Sequence, residues 1–68
     1  MADRLDNRLR DARVAAGWTQ AELAERVGVS RKTANTVENS VFVPSTVLAL
    51  KLARALGVSV EGLFSLVE

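Results

Sequence analysis

The stretch TQAELAERVGVSRKTANTVENS, residues 19–40, decides the fold. It opens on Thr19, whose hydroxyl suits a helix N-cap, and Glu22 three residues later completes a capping box. Leu23, Ala24 and Val27 then share one face of a helix spanning Gln20 to Val27. Gly28-Val29-Ser30 ends that helix and starts another with almost no loop. The glycine suits the left-handed position past a helix end, the valine folds back on the last turn, and the serine caps the second helix. This second helix of the pair runs from Arg31 to about Glu38. Ala24 precedes Gly28 by one turn, and a side chain that small lets the two helices approach closely. Leu23, Val29 and Val37 supply the packing between them.

The same punctuation recurs outward from this stretch. Gly17-Trp18-Thr19 and Gly57-Val58-Ser59 repeat the order glycine, apolar, hydroxyl, and Pro44-Ser45 marks one more start. These joints divide the chain into five helices. The first runs from about Asn7 to Ala16, with Leu5, Leu9, Ala12 and Ala16 along one face. The fourth covers Thr46 to Leu56, and a short fifth covers Val60 to about Phe64. The fourth is apolar nearly all round, broken only by Lys51 and Arg54, as in a helix buried mid-fold or also covering a partner. The tail from Leu63 to Val67 reads as extended at its end, pairing with Arg4 to Asn7. The expected fold is all-α: a five-helix bundle with a short terminal β pairing, in one domain over residues 1–68.

Composition narrows the function. A chain of 68 residues buries only about 60% of the surface its unfolded form exposes. With no Cys and no His, neither disulfides nor the common zinc ligands can staple it. Self-association is the remaining staple. The same absences remove the usual Ser or Cys nucleophile–base pairs, and no glycine-rich phosphate loop is present. No enzymatic activity, metal or cofactor is expected. No apolar run nears the ~20 residues of a membrane span, and Met-Ala-Asp-Arg-Leu-Asp is not a signal peptide. The expectation is a soluble intracellular, cytoplasmic protein, too short for an effector domain.

Net charge is +1, from nine basic and eight acidic side chains, and the distribution says more than the total. From Arg26 through Val37 there are three basic residues and no acid. At roughly 100° per residue, Arg31, Asn35, Asn39, Lys32 and Thr36 fall on one arc of about 140° of the third helix. Thr33, Ala34 and Val37 fall opposite, with Glu38 at the margin. A merely solvated face is usually rich in Glu and Lys. This one carries the residue types that reach base edges and phosphate oxygens. Two short helices about a tight bend form a helix-turn-helix, whose second helix lies in the major groove.

RLRDARVAAGWTQAELAERVGVSRKTANTVEN resembles the helix-turn-helix domain of the Cro/cI (XRE-like) transcription regulators, in particular its very small single-domain members. The likeness runs from about Asn7 to Phe64. It is most specific from Thr19 through Gly28-Val29-Ser30 to Glu38-Asn39, and PSTVLALKLARALGVSVEGLF matches the later helices. The resemblance implies base-reading roles for Arg31, Lys32, Asn35 and Thr36, and phosphate contacts at Gln20, Ser30 and Asn39. It also implies an internal ion pair between Arg13 and Glu38, tying the first helix to the third. The sequence departs from the family in three places. Ala34 stands where Ile or Val is usual, leaving space for Phe42 or Trp18. Ser40 replaces a usual glycine, so Asn39 or Ser40 makes the sharp exit. Val41-Phe42-Val43 replaces polar loop residues.

Val47, Leu50, Leu63, Phe64, Leu66 and Val67 exceed what so small a core needs, and the family dimerises through this end of the fold. The expected partners are therefore double-stranded operator DNA and a second copy of the chain. A dimer presents two reading helices about 34 Å apart, one turn of DNA, and demands a palindromic site. The expected function is a homodimeric regulator, a repressor by occupancy. The competing reading is a protein-interaction module of the same fold, an antitoxin or anti-repressor with weak or no DNA binding. The near-neutral charge and the apolar loop favour the latter.

Overall fold

The computed structural model describes residues 4–41 and 43–67. Its elements run in the order β1 (Arg4–Asn7), α1 (Leu9–Ala16), α2 (Gln20–Val27), α3 (Arg31–Glu38), α4 (Thr46–Leu56), α5 (Val60–Leu63) and β2 (Phe64–Val67). Phe42 lies outside the described residues.

Hydroxyl caps set the starts of four helices. Ser30, Ser45 and Ser59 accept the backbone N–H groups of Thr33, Leu48 and Gly62 at 3.1, 3.1 and 3.0 Å. At Thr19 the capping box is complete: its hydroxyl accepts from the Glu22 N–H at 3.1 Å, and the Glu22 carboxylate accepts from the Thr19 N–H at 3.0 Å. The bond from the Thr19 backbone N–H, with the Thr19 hydroxyl beside it, draws the Glu22 carboxyl below its ordinary pKa. Gly28 sits at φ 75°, where a side chain is costly. The Val29 N–H reaches back to the Ala24 carbonyl at 3.0 Å, closing α2 before α3 begins.

Two ends differ from the periodicity. α1 begins at Leu9 because Asn7 completes β1 and uses both ends of its amide. Its Oδ1 accepts from the Leu9 N–H at 2.9 Å, and its Nδ2 donates to the Val37 carbonyl at 2.6 Å. α5 stops at Leu63 because Phe64 enters β2. The strands pair antiparallel, Arg4 opposite Val67 through Asn7 opposite Phe64. Arg8 clasps the two ends of the chain, donating to the carbonyls of Gly62 at 3.0 Å and Glu61 at 2.8 Å.

The core is built from Leu9, Leu23, Val27, Val37, Leu52, Ala53, Leu63 and Phe64. Each of the larger side chains stabilises the fold by about 1.5–3 kcal/mol through burial. Leu63 and Phe64 were expected at a dimer interface. That expectation is corrected: both are buried within this one chain, in the same core cluster as Leu9 of α1 and Leu52 of α4. Ala16 does not complete the apolar face of α1 and is exposed. Trp18 packs half-buried against the core with the Arg26 guanidinium 4.3 Å over its ring. Among the described residues no helix is long and apolar enough to cross a membrane.

Candidate nucleic-acid interface

α3 turns Ala34, Val37 and Glu38 inward and leaves Arg31, Lys32, Asn35 and Asn39 exposed. Arg31 and Lys32 form no ion pair among the described residues. Both stand in the first turn, at the positive end of the helix dipole, where a cation is unfavourable by about 0.3–1 kcal/mol. The arrangement concentrates positive potential at one spot, which a bound anion would relieve. Thr36 is half-buried, and its hydroxyl donates to the Thr33 carbonyl at 2.8 Å.

Glu38 is not marginal, as the helical wheel places it. Its side chain is 0% exposed and receives Arg13 Nε at 2.6 Å. Arg13 Nη2 adds a second bond at 3.2 Å, while its Nη1 donates to the Trp18 carbonyl at 2.8 Å. This bidentate contact is the short, directional kind, and it joins α1 to α3 through side chains of which Arg13 is only 14% exposed. Burial pushes the Glu38 carboxyl up. The hydrogen bonds from Arg13 and Gln20, the Arg13 charge and a bond from Arg10 together outweigh it, so its pKa lies below the ordinary glutamate value.

The three residues matched to phosphate contact have side chains already engaged. Gln20 Nε2 donates to Glu38 Oε1 at 3.2 Å and to Asn35 Oδ1 at 3.3 Å. Ser30 spends its oxygen on the α3 cap and lies 2.9 Å from the Thr33 hydroxyl. Asn39 Nδ2 donates to the Asn35 carbonyl at 3.0 Å and to Asn35 Oδ1 at 2.6 Å. The sequence reading overlooked Arg10. Its Nη2 donates to Asn39 Oδ1 at 2.7 Å, and its Nε lies 3.4 Å from Glu38. The signal was present: Arg10 stands three residues before Arg13, on the same side of α1.

The residues matched to a dimer contact separate into two places. Val47 and Leu50, 63% and 56% exposed, line one groove on α4 together with Val58. Leu66 and Val67 are exposed on β2 and do not line that groove. Val58 is a residue the sequence reading assigned to packing on a helix end. It makes the closing backbone bond to Ala53 at 3.0 Å, yet its side chain stays in solvent.

A helix-turn-helix family profile matches residues 9–63. The chain is 38% identical over 64 residues to YgzD, an HTH-type transcriptional regulator of Bacillus subtilis, covering 94% of this chain and 97% of that one. It is 48% identical over 61 residues to an HTH-type regulator of Methanothermobacter thermautotrophicus, covering 88% of each. Among solved structures it is similar to the restriction-modification controller protein C.AhdI of Aeromonas hydrophila. The TM-score is 0.76 at 39% identity, over 79% of this chain and 82% of that one. It is also similar to the biofilm master regulator SinR, solved in complex with DNA. There the TM-score is 0.75 at 31% identity, over 79% and 87% of the two chains.

Proposed function

Because the chain belongs to the XRE-type helix-turn-helix family of transcriptional regulators, DNA-binding proteins that are not enzymes, we propose that it represses transcription as a homodimer occupying a palindromic operator, with residues 1–68 acting as one domain. The observation that carries this reading is the outward side of α3. Arg31, Lys32 and Asn35 are exposed there, while the helix's one acid is turned inside. In this reading α3 enters the major groove, and Arg31, Lys32, Asn35 and Thr36 meet base edges.

Gln20, Ser30 and Asn39 flank the groove at the phosphates, Asn39 acting through the Arg10 guanidinium it holds because its own amide N–H groups are spent on Asn35. Gln20 has both side-chain donors engaged, so its backbone N–H in the first turn of α2 is the group to give. Ser30 has its hydroxyl proton to give whenever Thr33 Oγ1 acts as the donor between them. Arg10, held against Asn39 and 55% exposed, adds a cation at the far edge. Val47 and Leu50, with Leu66 and Val67, supply apolar surface for the second copy.

Selection from a randomised palindrome library tests the reading. A single enriched inverted repeat is expected, with log K falling against log salt by ~0.9 per phosphate neutralised. Lys32→Ala relaxes the preference at one position by about 1–3 kcal/mol. A specific observation favours a second reading: Val41 and Val43 are 71% and 73% exposed, an apolar loop suited to a protein partner. DNA that fails to bind even at low salt would leave that reading standing alone.

A further inference from the structure

Three side-chain amides meet between α2 and the end of α3, and their hydrogen-bond chain terminates on two groups of fixed polarity. At one end stands Glu38, an ionised carboxylate that only accepts. It takes Gln20 Nε2 at 3.2 Å, so Gln20 turns its nitrogen inward, and that nitrogen also reaches Asn35 Oδ1 at 3.3 Å. At the other end stands Arg10, which only donates. It gives to Asn39 Oδ1 at 2.7 Å, so Asn39 turns its nitrogen to Asn35 Oδ1 at 2.6 Å. An isolated amide can exchange its oxygen and nitrogen by a half-turn. A chain pinned between a carboxylate and a guanidinium cannot, because any flip sets donor against donor or acceptor against acceptor.

Asn35 Oδ1 therefore receives two hydrogen bonds, one for each lone pair. Its Nδ2 donates to no group among the described residues, and the residue is exposed on the outward side of α3. We propose that Asn35 reads its base as a donor only, and so selects the acceptor edge of guanine or thymine over adenine. Asparagine pairs with adenine by accepting from N6 while donating to N7. Here the oxygen is already filled from within the protein, and adenine would set its N6 amino group against a second donor. Guanine offers O6 and N7, two acceptors for two N–H bonds, and thymine offers O4. Cytosine presents a donor and is refused for the same reason as adenine. Gln20, Asn39 and Arg10 are then positioning residues that set the specificity of a side chain on another part of the fold. The inference rests on the reading that α3 enters the major groove.

Selection from a randomised palindromic duplex library with the full chain tests it. Asn35→Ala identifies the base position that residue 35 reads, as the one that loses its preference. Base analogues placed in one strand at a time of the enriched duplex then assign the strand that residue 35 contacts, and on that strand the wild type is expected to favour guanine or thymine over adenine by about tenfold. The double variant Gln20→Leu/Asn39→Leu frees the oxygen: overall affinity is expected to fall, since both residues stand at the phosphate edge, while adenine at that position rises by a similar factor relative to the other bases. Adenine preferred on the contacted strand overturns the proposal, as does an Asn35→Ala variant that alters no position. If the double variant melts cooperatively yet keeps the wild-type preference, the positioning role falls. If it does not fold, the wild type and Asn35→Ala still decide. An enriched operator with adenine on the contacted strand removes this inference alone; a library with no enriched sequence removes the DNA-binding reading as well.

Discussion

α3 and α4 present two unlike faces to solvent. On α3, Asn35, Glu38 and Asn39 are held by partners drawn from α1 and α2, and among the described residues no buried side-chain nitrogen or oxygen lacks a hydrogen bond. On α4, Val47 and Leu50 stand more than half exposed over a groove with little to cover them. The amides of the first face are tied within one chain, before any ligand arrives. The second exposes apolar surface that a single chain does not bury. A pre-organised polar face loses little freedom on binding, whereas an uncovered apolar one gains from any partner that excludes water.

The first comparison breaks most sharply at Glu38. Glu38→Ala removes the acceptor that holds Arg13, itself mostly buried, and leaves an uncompensated charge. The expected loss is ~3–5 kcal/mol, a large share of the roughly 3–10 kcal/mol that a domain of this size commands. Urea denaturation reads it directly. A loss under about 1 kcal/mol would place the pair with ordinary surface ion pairs and undo the picture of an internally finished face.

Leu50→Glu strikes the other face and is expected to leave the monomer folded. If the proposed dimer forms through α4, equilibrium sedimentation is expected to find two chains for the wild type and one for the variant. Affinity for a palindrome should fall on the order of 100-fold through lost avidity, while binding to an isolated half-site stays unchanged. Equal loss on both DNAs would show that α4 is not where copies meet.

Acid sharpens the contrast more gently. The Glu38 carboxyl has its pKa lowered in the folded chain from an ordinary value of 4.5, so the unfolded chain takes the proton first. Its contribution to stability is complete above pH 4.5 and is lost as pH falls through the lower, folded value. Wild-type stability should therefore fall more steeply below pH 4.5 than that of Glu38→Gln, which has no carboxylate to titrate there. Parallel curves for the two would mean that Glu38 adds nothing across that range.

The helices were legible in the sequence because caps and joints are local: a hydroxyl, a glycine and three residues of spacing carry the signal. The two-stranded pairing was legible for a different reason, since both chain ends carry short extended runs. What escaped depends on three-dimensional neighbours. Glu38 lies at the edge of a helical wheel, so periodicity alone leaves it outside; the family resemblance gave its pairing with Arg13, and the approach of α1 makes that pair internal. Arg10 has no role until Asn39 stands beside it. Leu63 and Phe64 read as surplus apolar residues because a hydrophobic residue carries no mark saying which of two surfaces it covers. The amide chain through Asn35 is less legible still, because residue type alone cannot say which end of an amide faces out.

The exits of α2 and α3 permit one last, smaller comparison. α2 leaves through Gly28 at φ 75°, and α3 leaves through Ser40 at φ 58°. At Ser40 the backbone closes the same kind of turn: its N–H reaches the Val37 carbonyl at 3.1 Å, and the Val41 N–H reaches Thr36 at 2.9 Å. A side chain in this left-handed region costs about 1–2 kcal/mol, and glycine there would avoid it. Glycine also makes the unfolded chain more mobile, which returns about 0.4–1 kcal/mol. The serine hydroxyl offsets little of this, since Asn7 reaches it only at 3.4 Å while already bonded to Val37 at 2.6 Å. Ser40→Gly should therefore stabilise the protein by about 0.5–1 kcal/mol, a rise in melting temperature of about 2–8 °C for a domain of this length. Gly28→Ala, the reverse exchange at the other exit, should lower it by a similar amount. No neighbour crowds that position, so the penalty there is backbone strain alone. Opposite signs at the two exits would confirm that the ends of the reading helix and of its supporting helix obey one rule. A Ser40→Gly variant less stable than wild type would mean that the serine is held by something stronger than its backbone geometry.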